Sequence, residues 1–501
     1  MRRANQGYRA FRRCAPLPRH SNPHLRYVGM TRRPERSAIV IGAGPAGLAA
    51  ADALVRGGTT CTVIESQDAV GGLSGSFRAD NFAWDYGGHR LVSSHPSVMR
   101  LARELVGADM RLQERRSRIL FEGRFWPHPL ETAHVLRSLD ISLAIRAIAG
   151  YVAARAARHD DTTDFESWVV SHFGRPLYEA FFGPYTRKVW GVDPSMIASA
   201  WAPRRIMVGS LLRLLAQIFH AAGPLATLKH YHYPRLGIGQ LYEALAARIV
   251  SDGGSILLGH TAQSVQVDAA GVTVTVRSAS EVRDFHADAI VNTAPLPFLL
   301  AHLAPRPPEA VVSAAKRLRF RGIVFVFVGL ARSRGLGWDA LYVPQPEYVF
   351  FRVEEPTRWS KDLAPAGMTS LCFEIAADPG DEVWEADPAK LIARCVSDLA
   401  RIGVHITRRE VVAAHVQRRP HVYPMELNDS RRDLQLCRDF VDTLGPQIQS
   451  VGRLGAFRYI DMDQAILMGL RAAGMIDGNG SKIERAAEGR GYLWSAERQL
   501  A

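Results

Sequence analysis

Apolar and polar positions recur along the chain with two different periods, and the changes between them mark its organisation. Residues 37–65 place a helix-length stretch of small residues between two short β-branched runs, which indicates strand, turn, helix and strand. Helical periodicity dominates from about 97 to 228, and the two-residue period of strands returns from about 255 and again from about 321. The pattern predicts an α/β fold with a crossover unit at its start, a helical insertion and a second, mixed or antiparallel sheet.

A glycine-rich turn joins the first predicted strand to the first predicted helix. In GAGPAG, Gly42 permits the tight turn, Gly44 lets a pyrophosphate approach the backbone, and Gly47 lets the helix pack close to the strand. The helix N-terminus then directs its amide groups at the phosphates. Glu65 ends the second strand, where a carboxylate accepts hydrogen bonds from a ribose. These features predict a Rossmann-like nucleotide-binding domain.

The segments that belong to this domain are separated in the sequence, so we expect the domain to be discontinuous. We assign to it residues 37–96, 236–300 and 420–485. Residues 97–235 are assigned to a helical substrate or cap region, and residues 301–419 to a β-sheet substrate domain. The remaining residues at the start, 1–36, are expected to form a disordered basic arm.

The net charge of +13 raises the question of an anionic partner such as nucleic acid. Seven arginines and no acidic residue fall within the first 29 positions, and the excess without them is about +6, which is ordinary for this length. We therefore expect no nucleic-acid partner. The five cysteines show no paired spacing, which argues against structural zinc and for a reducing, cytoplasmic compartment. No metal site is predicted.

A second pair of glycines, Gly71 and Gly72, follows Glu65 in the run ESQDAVGG. This run resembles that of the superfamily of FAD-dependent amine oxidases, protoporphyrinogen oxidases and UDP-galactopyranose mutases. The resemblance implies a resident FAD rather than a nicotinamide cofactor, and it implies that the SVQV strand sets the Val265 backbone near the adenine. The segment GRLGAFRYIDMDQ resembles the closing flavin-contact segment of this superfamily, which implies further contacts from Arg453, Asp461 and Met462.

Several separated motifs are similar to those of the UDP-galactopyranose mutase branch and occur in the same order. In YGGHRLVSS the resemblance implies that Gly88 and His89 lie beside the flavin, and in VFFRVEE it implies Arg352 near flavin and diphosphate. His89 and Arg352 are therefore the catalytic candidates. The residues that this resemblance implies for substrate binding are Tyr185, Trp190, Arg205, Arg352, Tyr423 and Tyr459.

Arginine and tyrosine are the residue types that a diphosphate needs. A guanidinium meets phosphate oxygens with a planar fork, while tyrosine combines a hydroxyl donor with an apolar wall. One assignment stays open, because the spacing around the RRI segment does not decide between Arg204 and Arg205.

Two departures from the mutase pattern leave several functions open. Ile460 stands where mutases have a second tyrosine, and residues 206–228 are longer and more apolar than the corresponding mutase stretch. We therefore favour an FAD-dependent oxidoreductase acting on a sugar-nucleotide-like or other anionic small molecule. The alternatives are a mutase-type isomerase that uses reduced FAD and a flavin-free escort protein.

A basic amphipathic helix is predicted over IRAIAGYVAARAARH, residues 145–159. We interpret its apolar side as packed on the core and its other side as facing solvent, with contact to an anionic membrane surface as the less favoured alternative.

Overall fold

The computed structural model describes residues 36–128, 141–157, 162–199, 202 and 230–478. The predicted basic arm, apart from its last residue, and the RRI segment with Arg205 lie outside these ranges. The helices of six or more residues within them are α1 (Pro45–Arg56), α2 (Pro96–Val106), α3 (Ile141–Ala157), α4 (Phe165–Phe173), α5 (Gly183–Trp190), α6 (Gly239–Ser251), α7 (Leu296–Ala301), α8 (Glu309–Arg317), α9 (Pro388–Arg401), α10 (Arg431–Thr443) and α11 (Met462–Ile476).

Strands in the same ranges are numbered β1 to β20 in chain order. They are β1 (Ser37–Ile41), β2 (Thr60–Ile64), β3 (Ser76–Ala79), β4 (Phe82–Asp85), β5 (Met110–Glu114), β6 (Ser117–Phe121), β7 (Arg124–His128), β8 (His230–Pro234), β9 (Ser255–Leu257), β10 (Thr261–Asp268), β11 (Gly271–Arg277), β12 (Val282–Ala287), β13 (Ala289–Asn292), β14 (Leu303–Ala304), β15 (Phe320–Leu330), β16 (Ala340–Tyr342), β17 (Arg352–Glu354), β18 (Thr369–Ala376), β19 (Val411–Pro424) and β20 (Ile448–Ser450). No helix in the described part of the chain is long and apolar enough to cross a bilayer.

A five-stranded parallel sheet forms the first domain, in the order β20-β13-β1-β2-β9. Its central strand β1 pairs with β2 across the crossover that α1 provides, and with β13 from more than two hundred residues later. Such strands are buried on both faces, which explains their apolar runs AIVI in β1 and AIV in β13. The Rossmann-like, discontinuous domain expected from the sequence is therefore confirmed.

Helix α11 packs closely on α1 and brings residues 462–476 against residues 45–56. A Cβ placed on Gly469 would lie 2.0 Å from the Ala46 carbonyl oxygen, so only glycine permits this approach. The same Cβ would lie 3.0 Å from the Ala50 amide nitrogen, and Ala46 and Ala50 are both buried. The small-residue composition of α1 is thus explained by two neighbours, the sheet on one side and α11 on the other.

A seven-stranded mixed sheet forms the second domain, in the order β19-β15-β18-β17-β16-β6-β7. Its strands pair antiparallel except for β16 with β6. The expected second sheet is therefore confirmed. Strands β6 and β7 come from residues 117–128, which we had assigned to the helical region, because their antiparallel hairpin completes the edge of this sheet.

Candidate functional site

The first glycine turn places open space in front of the N-terminus of α1. Gly42 has φ +98°, a conformation that glycine adopts without strain, and its amide donates to the Ile64 carbonyl at 2.8 Å. A Cβ on Gly47 would lie 2.0 Å from the Gly42 carbonyl oxygen, so α1 can lie this close to the turn only with glycine there. A Cβ on Gly44 would meet no atom within 4 Å.

Glu65 lies at the end of β2 with its carboxylate turned towards this turn. Its Oε2 accepts the Ala43 amide at 2.7 Å, and its Oε1 accepts the Gln67 amide at 2.9 Å. The side chain is buried, so these bonds fix its orientation. The Ser66 hydroxyl also donates to Oε1, at 3.3 Å. A carboxylate oxygen has two acceptor sites, so Oε2 keeps the capacity to accept a hydroxyl.

The second glycine pair returns the chain to the first turn. Gly71 and Gly72 have φ +100° and +54°, and the Gly71 amide donates to the Ala43 carbonyl at 2.8 Å. A Cβ on Gly72 would lie 3.3 Å from the Gly44 Cα. Two glycine segments, a helix N-terminus and an acceptor carboxylate therefore surround one position. This donor and acceptor set fits the pyrophosphate and ribose of the expected FAD.

The closing segment lies against the same turn. A Cβ on Gly452 would lie 2.9 Å from the Ala46 side chain, so the residues before Arg453 pack directly on the start of α1. Asp461 caps α11 in a reciprocal arrangement with Gln464, and Met462 is buried at the first position of the helix. The structure thus shows Asp461 in a helix-capping role, while its expected contact with the cofactor stays a prediction.

Val265 lies in the middle of β10, which belongs to a four-stranded sheet in the order β12-β11-β10-β14. Its side chain is buried in the core that this sheet shares with the five-stranded parallel sheet, and its amide donates to the His302 carbonyl at 2.9 Å, next to the pairing of β10 with β14. The N–H group is thus engaged within the protein, while the expected position of the Val265 backbone near the adenine stays a prediction.

The Gly87–Gly88–His89 loop lies on two buried carboxylates. A Cβ on Gly87 would lie 2.5 Å from a Glu374 oxygen, and one on Gly88 would lie 2.0 Å from a Glu354 oxygen. His89 Nε2 lies 3.0 Å from the Tyr86 carbonyl and must donate to it, because a carbonyl only accepts. Burial, with the nearby cations Arg453 and Arg352, lowers the pKa of His89 to about 4. The imidazole is therefore neutral at pH 7.

Arg352 is held by the same two carboxylates. Its Nε and Nη2 donate to Glu374 at 2.9 and 2.5 Å, and its Nε lies 3.3 Å from Glu354. Burial alone would lower the pKa of Arg352, but the two glutamates raise it well above its ordinary value. Glu354 is fully buried, and burial raises its pKa despite the attraction of Arg352. Arg352 therefore stays charged and fixed in orientation.

Aromatic rings surround the two arginines. The Arg453 guanidinium lies 5.0 Å from the Tyr459 ring and 5.8 Å from the Tyr423 ring, and those rings are 4.9 Å apart. Trp190 lies 5.7 Å from each of them. Arg453 donates through Nε and Nη2 to the Ile460 carbonyl, at 2.9 and 2.5 Å, which directs its guanidinium. The structure therefore brings these three aromatic residues together with Arg453.

Tyr185 reaches the same group of residues from α5. Its ring lies 6.4 Å from those of Tyr342 and Phe351, and the Arg352 guanidinium lies 5.7 Å from the Tyr342 ring. Burial raises the pKa of Tyr185 far above its ordinary value, so its hydroxyl stays protonated and can donate. We call the set of Tyr185, Trp190, Arg352, Tyr423, Arg453 and Tyr459 the arginine–tyrosine cluster.

Sequence reasoning missed the two glutamates and Tyr342. A signal was present, because Glu354 and Glu374 are the only acidic positions in the short strands RVE and TSLCFEIA. An ionisable residue inside an apolar strand is expensive to bury without a partner, so it marks a charge pair or a site. No group of three or more His, Cys, Asp or Glu in the described ranges could hold a metal ion.

Comparison with known proteins places this geometry in a family. The sequence profile described as flavin containing amine oxidoreductase matches residues 45–476. The chain is 31% identical to putrescine oxidase of Kocuria rosea, over 29% of this chain and 34% of that protein. It is 25% identical to the probable UDP-galactopyranose mutase of Klebsiella pneumoniae, over 42% of this chain and 53% of that protein. A crystal structure of reduced UDP-galactopyranose mutase superimposes with a TM-score of 0.78 at 22% identity, covering 91% of this chain and 98% of that one.

The extent of these matches limits what they transfer. The chain spans about a third and about half of the length of the two curated relatives, and the structural likeness shows the fold alone. The profile, in contrast, covers most of the chain, from the glycine turn to the end of α11. The superfamily resemblance and the FAD cofactor expected from the sequence are thus confirmed. The chain belongs to the family of flavin containing amine oxidoreductases, which use FAD.

Proposed function

We propose that this protein is an FAD-dependent oxidoreductase that acts on an anionic small molecule of the sugar-nucleotide type. The observation that carries the proposal is the arginine–tyrosine cluster beside the Gly88–His89 loop. Arg352 and Arg453 both act on the pKa of His89 and on that of Tyr423, so the two cations share one site. A diphosphate carries about two negative charges and matches two guanidiniums with nearby hydroxyl donors.

The residues of the chain bind and orient the substrate in this proposal. When bound, FAD supplies the hydride acceptor. Arg352 keeps its direction through Glu374, and Arg453 through the Ile460 carbonyl, so both cations are fixed before the substrate arrives. Tyr423 and Tyr459 lie beside Arg453 and bring hydroxyl groups to the site, and Trp190 packs against both tyrosine rings. His89 is neutral and adds no charge to the pair of arginines.

A cationic amine fits this site poorly. Amine substrates such as putrescine, which one relative is named for, carry positive charge near neutral pH. Arg352 and Arg453 would repel that charge, and Glu374 is already paired with Arg352. We therefore expect a substrate that carries negative charge and that is nevertheless oxidised by the flavin.

A mutase reaction is the second candidate, and the same cluster favours it. Fixed guanidiniums that bind a sugar nucleotide would also stabilise its departing diphosphate in a reaction without net oxidation. The flavin-free escort function is set aside, because the family profile describes flavin proteins and the glycine turn keeps the open space at Gly44.

An anaerobic titration of the FAD-loaded protein with UDP-hexoses tests the proposal. An oxidoreductase bleaches the oxidised flavin absorption with one equivalent of substrate, whereas putrescine, as the control, leaves the absorption unchanged. A mutase leaves the flavin oxidised and interconverts UDP-hexoses only after reduction with dithionite. Bleaching by putrescine together with no perturbation by UDP or UDP-hexoses would contradict both candidates.

A further inference from the structure

Helix α3 carries an apolar stripe on its outward face. Ile145, Ile148 and Val152 are 62%, 54% and 59% exposed, and their spacing of three, four and seven residues places them on one side of the helix. Ala149, Ala153 and Ala156 are exposed between and beyond them. The outward face therefore presents a continuous apolar surface where the sequence had been interpreted as facing solvent.

The opposite face of α3 is attached to the body of the protein. Leu143 is buried against Phe121 and Trp126, and a Cβ on Gly150 would lie 2.5 Å from the Pro176 ring. The helix is thus apolar on both sides, and only one side has a partner within the described residues. A continuous apolar stripe that is exposed on a folded protein indicates a contact surface.

Positive charge flanks the stripe on both sides. At about 100° per residue, Arg146 and Arg155 lie on opposite flanks of the stripe centred on Ile145 and Val152. Both arginines are exposed, and the helix contains no acidic residue. An apolar face bordered by arginines is the arrangement of a helix that lies in a membrane interface, with apolar side chains in the acyl region and guanidiniums among the phosphates.

We propose that the outward face of α3 binds an anionic lipid surface. Charge favours this occupant over a second copy of the chain. A symmetric pairing of two α3 faces would place the arginines of both copies along one interface without any acidic residue of the helix to compensate them. Anionic phospholipids supply both the negative charge and the apolar layer that the stripe needs.

Co-sedimentation of the full-length, FAD-loaded protein with vesicles tests this surface. The vesicles are phosphatidylcholine with and without about 30 mol% phosphatidylserine. Seven arginines at the start of the chain also attract anionic vesicles, so matched variants are needed. Val152→Glu alters the stripe, and Val282→Glu on β12 is the control, because Val282 is 60% exposed and lies on a different element.

We expect the wild type to bind the anionic vesicles and Val152→Glu to reduce the partition constant about tenfold, with Val282→Glu unchanged. Arg146→Gln combined with Arg155→Gln should weaken binding and reduce its dependence on salt. Flavin absorption and thermal unfolding confirm that each variant is folded. Equal binding of the two glutamate variants would overturn the proposal. A change from dimer to monomer in Val152→Glu without any wild-type vesicle binding would assign the surface to self-association instead.

Discussion

Two glycines of the same turn are expected to respond in opposite ways to a single added methyl group. At Gly44 the backbone has φ −80°, which alanine adopts readily, and the new Cβ would meet no protein atom within 4 Å. The flavin-free protein should therefore keep its stability or gain about 0.4–1 kcal/mol, because alanine restricts the unfolded chain. At Gly47 the new Cβ would lie 2.0 Å from the Gly42 carbonyl oxygen.

The cost at Gly47 follows from how firmly α1 is held. Helix α1 cannot move away from the turn freely, because α11 packs closely against it. A Cβ placed on Gly469 of α11 would lie 2.0 Å from the Ala46 carbonyl oxygen. Overpacking at a site of this kind costs about 1–3 kcal/mol, and we expect Gly47→Ala to lie at the upper end. Gly44→Ala should instead weaken FAD binding by at least about tenfold, or 1.4 kcal/mol, since its methyl occupies the space where the pyrophosphate approaches.

The assay separates the two effects by measuring them on different forms of the protein. Urea unfolding of the flavin-free protein reports the packing at each glycine, and titration with FAD monitored by flavin fluorescence reports affinity. A Gly44→Ala protein that binds FAD like the wild type would refute the position inferred for the pyrophosphate. If flavin-free Gly44→Ala were as unstable as flavin-free Gly47→Ala, the inference that the space beside Gly44 is open would be wrong.

Three further predictions concern the charged groups below the Gly88–His89 loop. Arg352→Ala should destabilise the protein by about 3–5 kcal/mol in urea unfolding, because it leaves Glu374 buried without its cation. Adding Glu374→Gln should restore most of the stability but should not restore UDP binding, which calorimetry measures. Normal UDP binding by the double variant would contradict the role of Arg352. Burial raises the pKa of Glu354 above its ordinary 4.5, so the folded protein retains a proton that the unfolded chain releases. The contribution of Glu354 to the free energy of unfolding is therefore present at acid pH and is lost as the pH rises through the raised pKa of the folded state, by about 1.4 kcal/mol per pH unit. Glu354→Gln should remove this pH dependence when the free energy of unfolding is measured at several pH values. Burial lowers the pKa of His89 to about 4, so wild-type stability should fall as the pH drops from 6.5 to 4, and His89→Gln should reduce that acid sensitivity; an unchanged profile would show that His89 is not buried as described.

Part of the candidate site was readable from local patterns because each pattern acts over a few neighbouring residues. The turn at Gly42, Gly44 and Gly47, the acceptor Glu65 and the following glycine pair belong to one crossover unit, and the structure brings them to one position. The resemblance named His89 and each member of the arginine–tyrosine cluster individually. It did not show that Arg352 and Arg453, about one hundred residues apart in the sequence, both lower the pKa of the His89 imidazole.

Other features could not be read from one segment. Val265 lies in a strand with the expected alternation, yet the pairing of β10 with β14 uses its amide, and that pairing joins residues far apart in the sequence. Glu354 and Glu374 belong to neighbouring strands whose register sets them around Arg352. The apolar composition of α3 is visible in the sequence, but only its contact with Phe121 and Trp126 shows which face stays exposed.

The sequence by itself determined the first crossover unit, because glycine conformation, helix direction and strand length are properties of short segments. It determined the family and the FAD cofactor through motifs that resemble those of known flavoproteins. The tertiary structure decided which distant side chains share a buried charge network and which apolar face is left without a partner among the residues that the structure describes. The physical reason is that burial and pairing depend on the neighbours that other segments supply. The Arg352 guanidinium, for example, is held in one orientation by Glu374, which a different strand supplies.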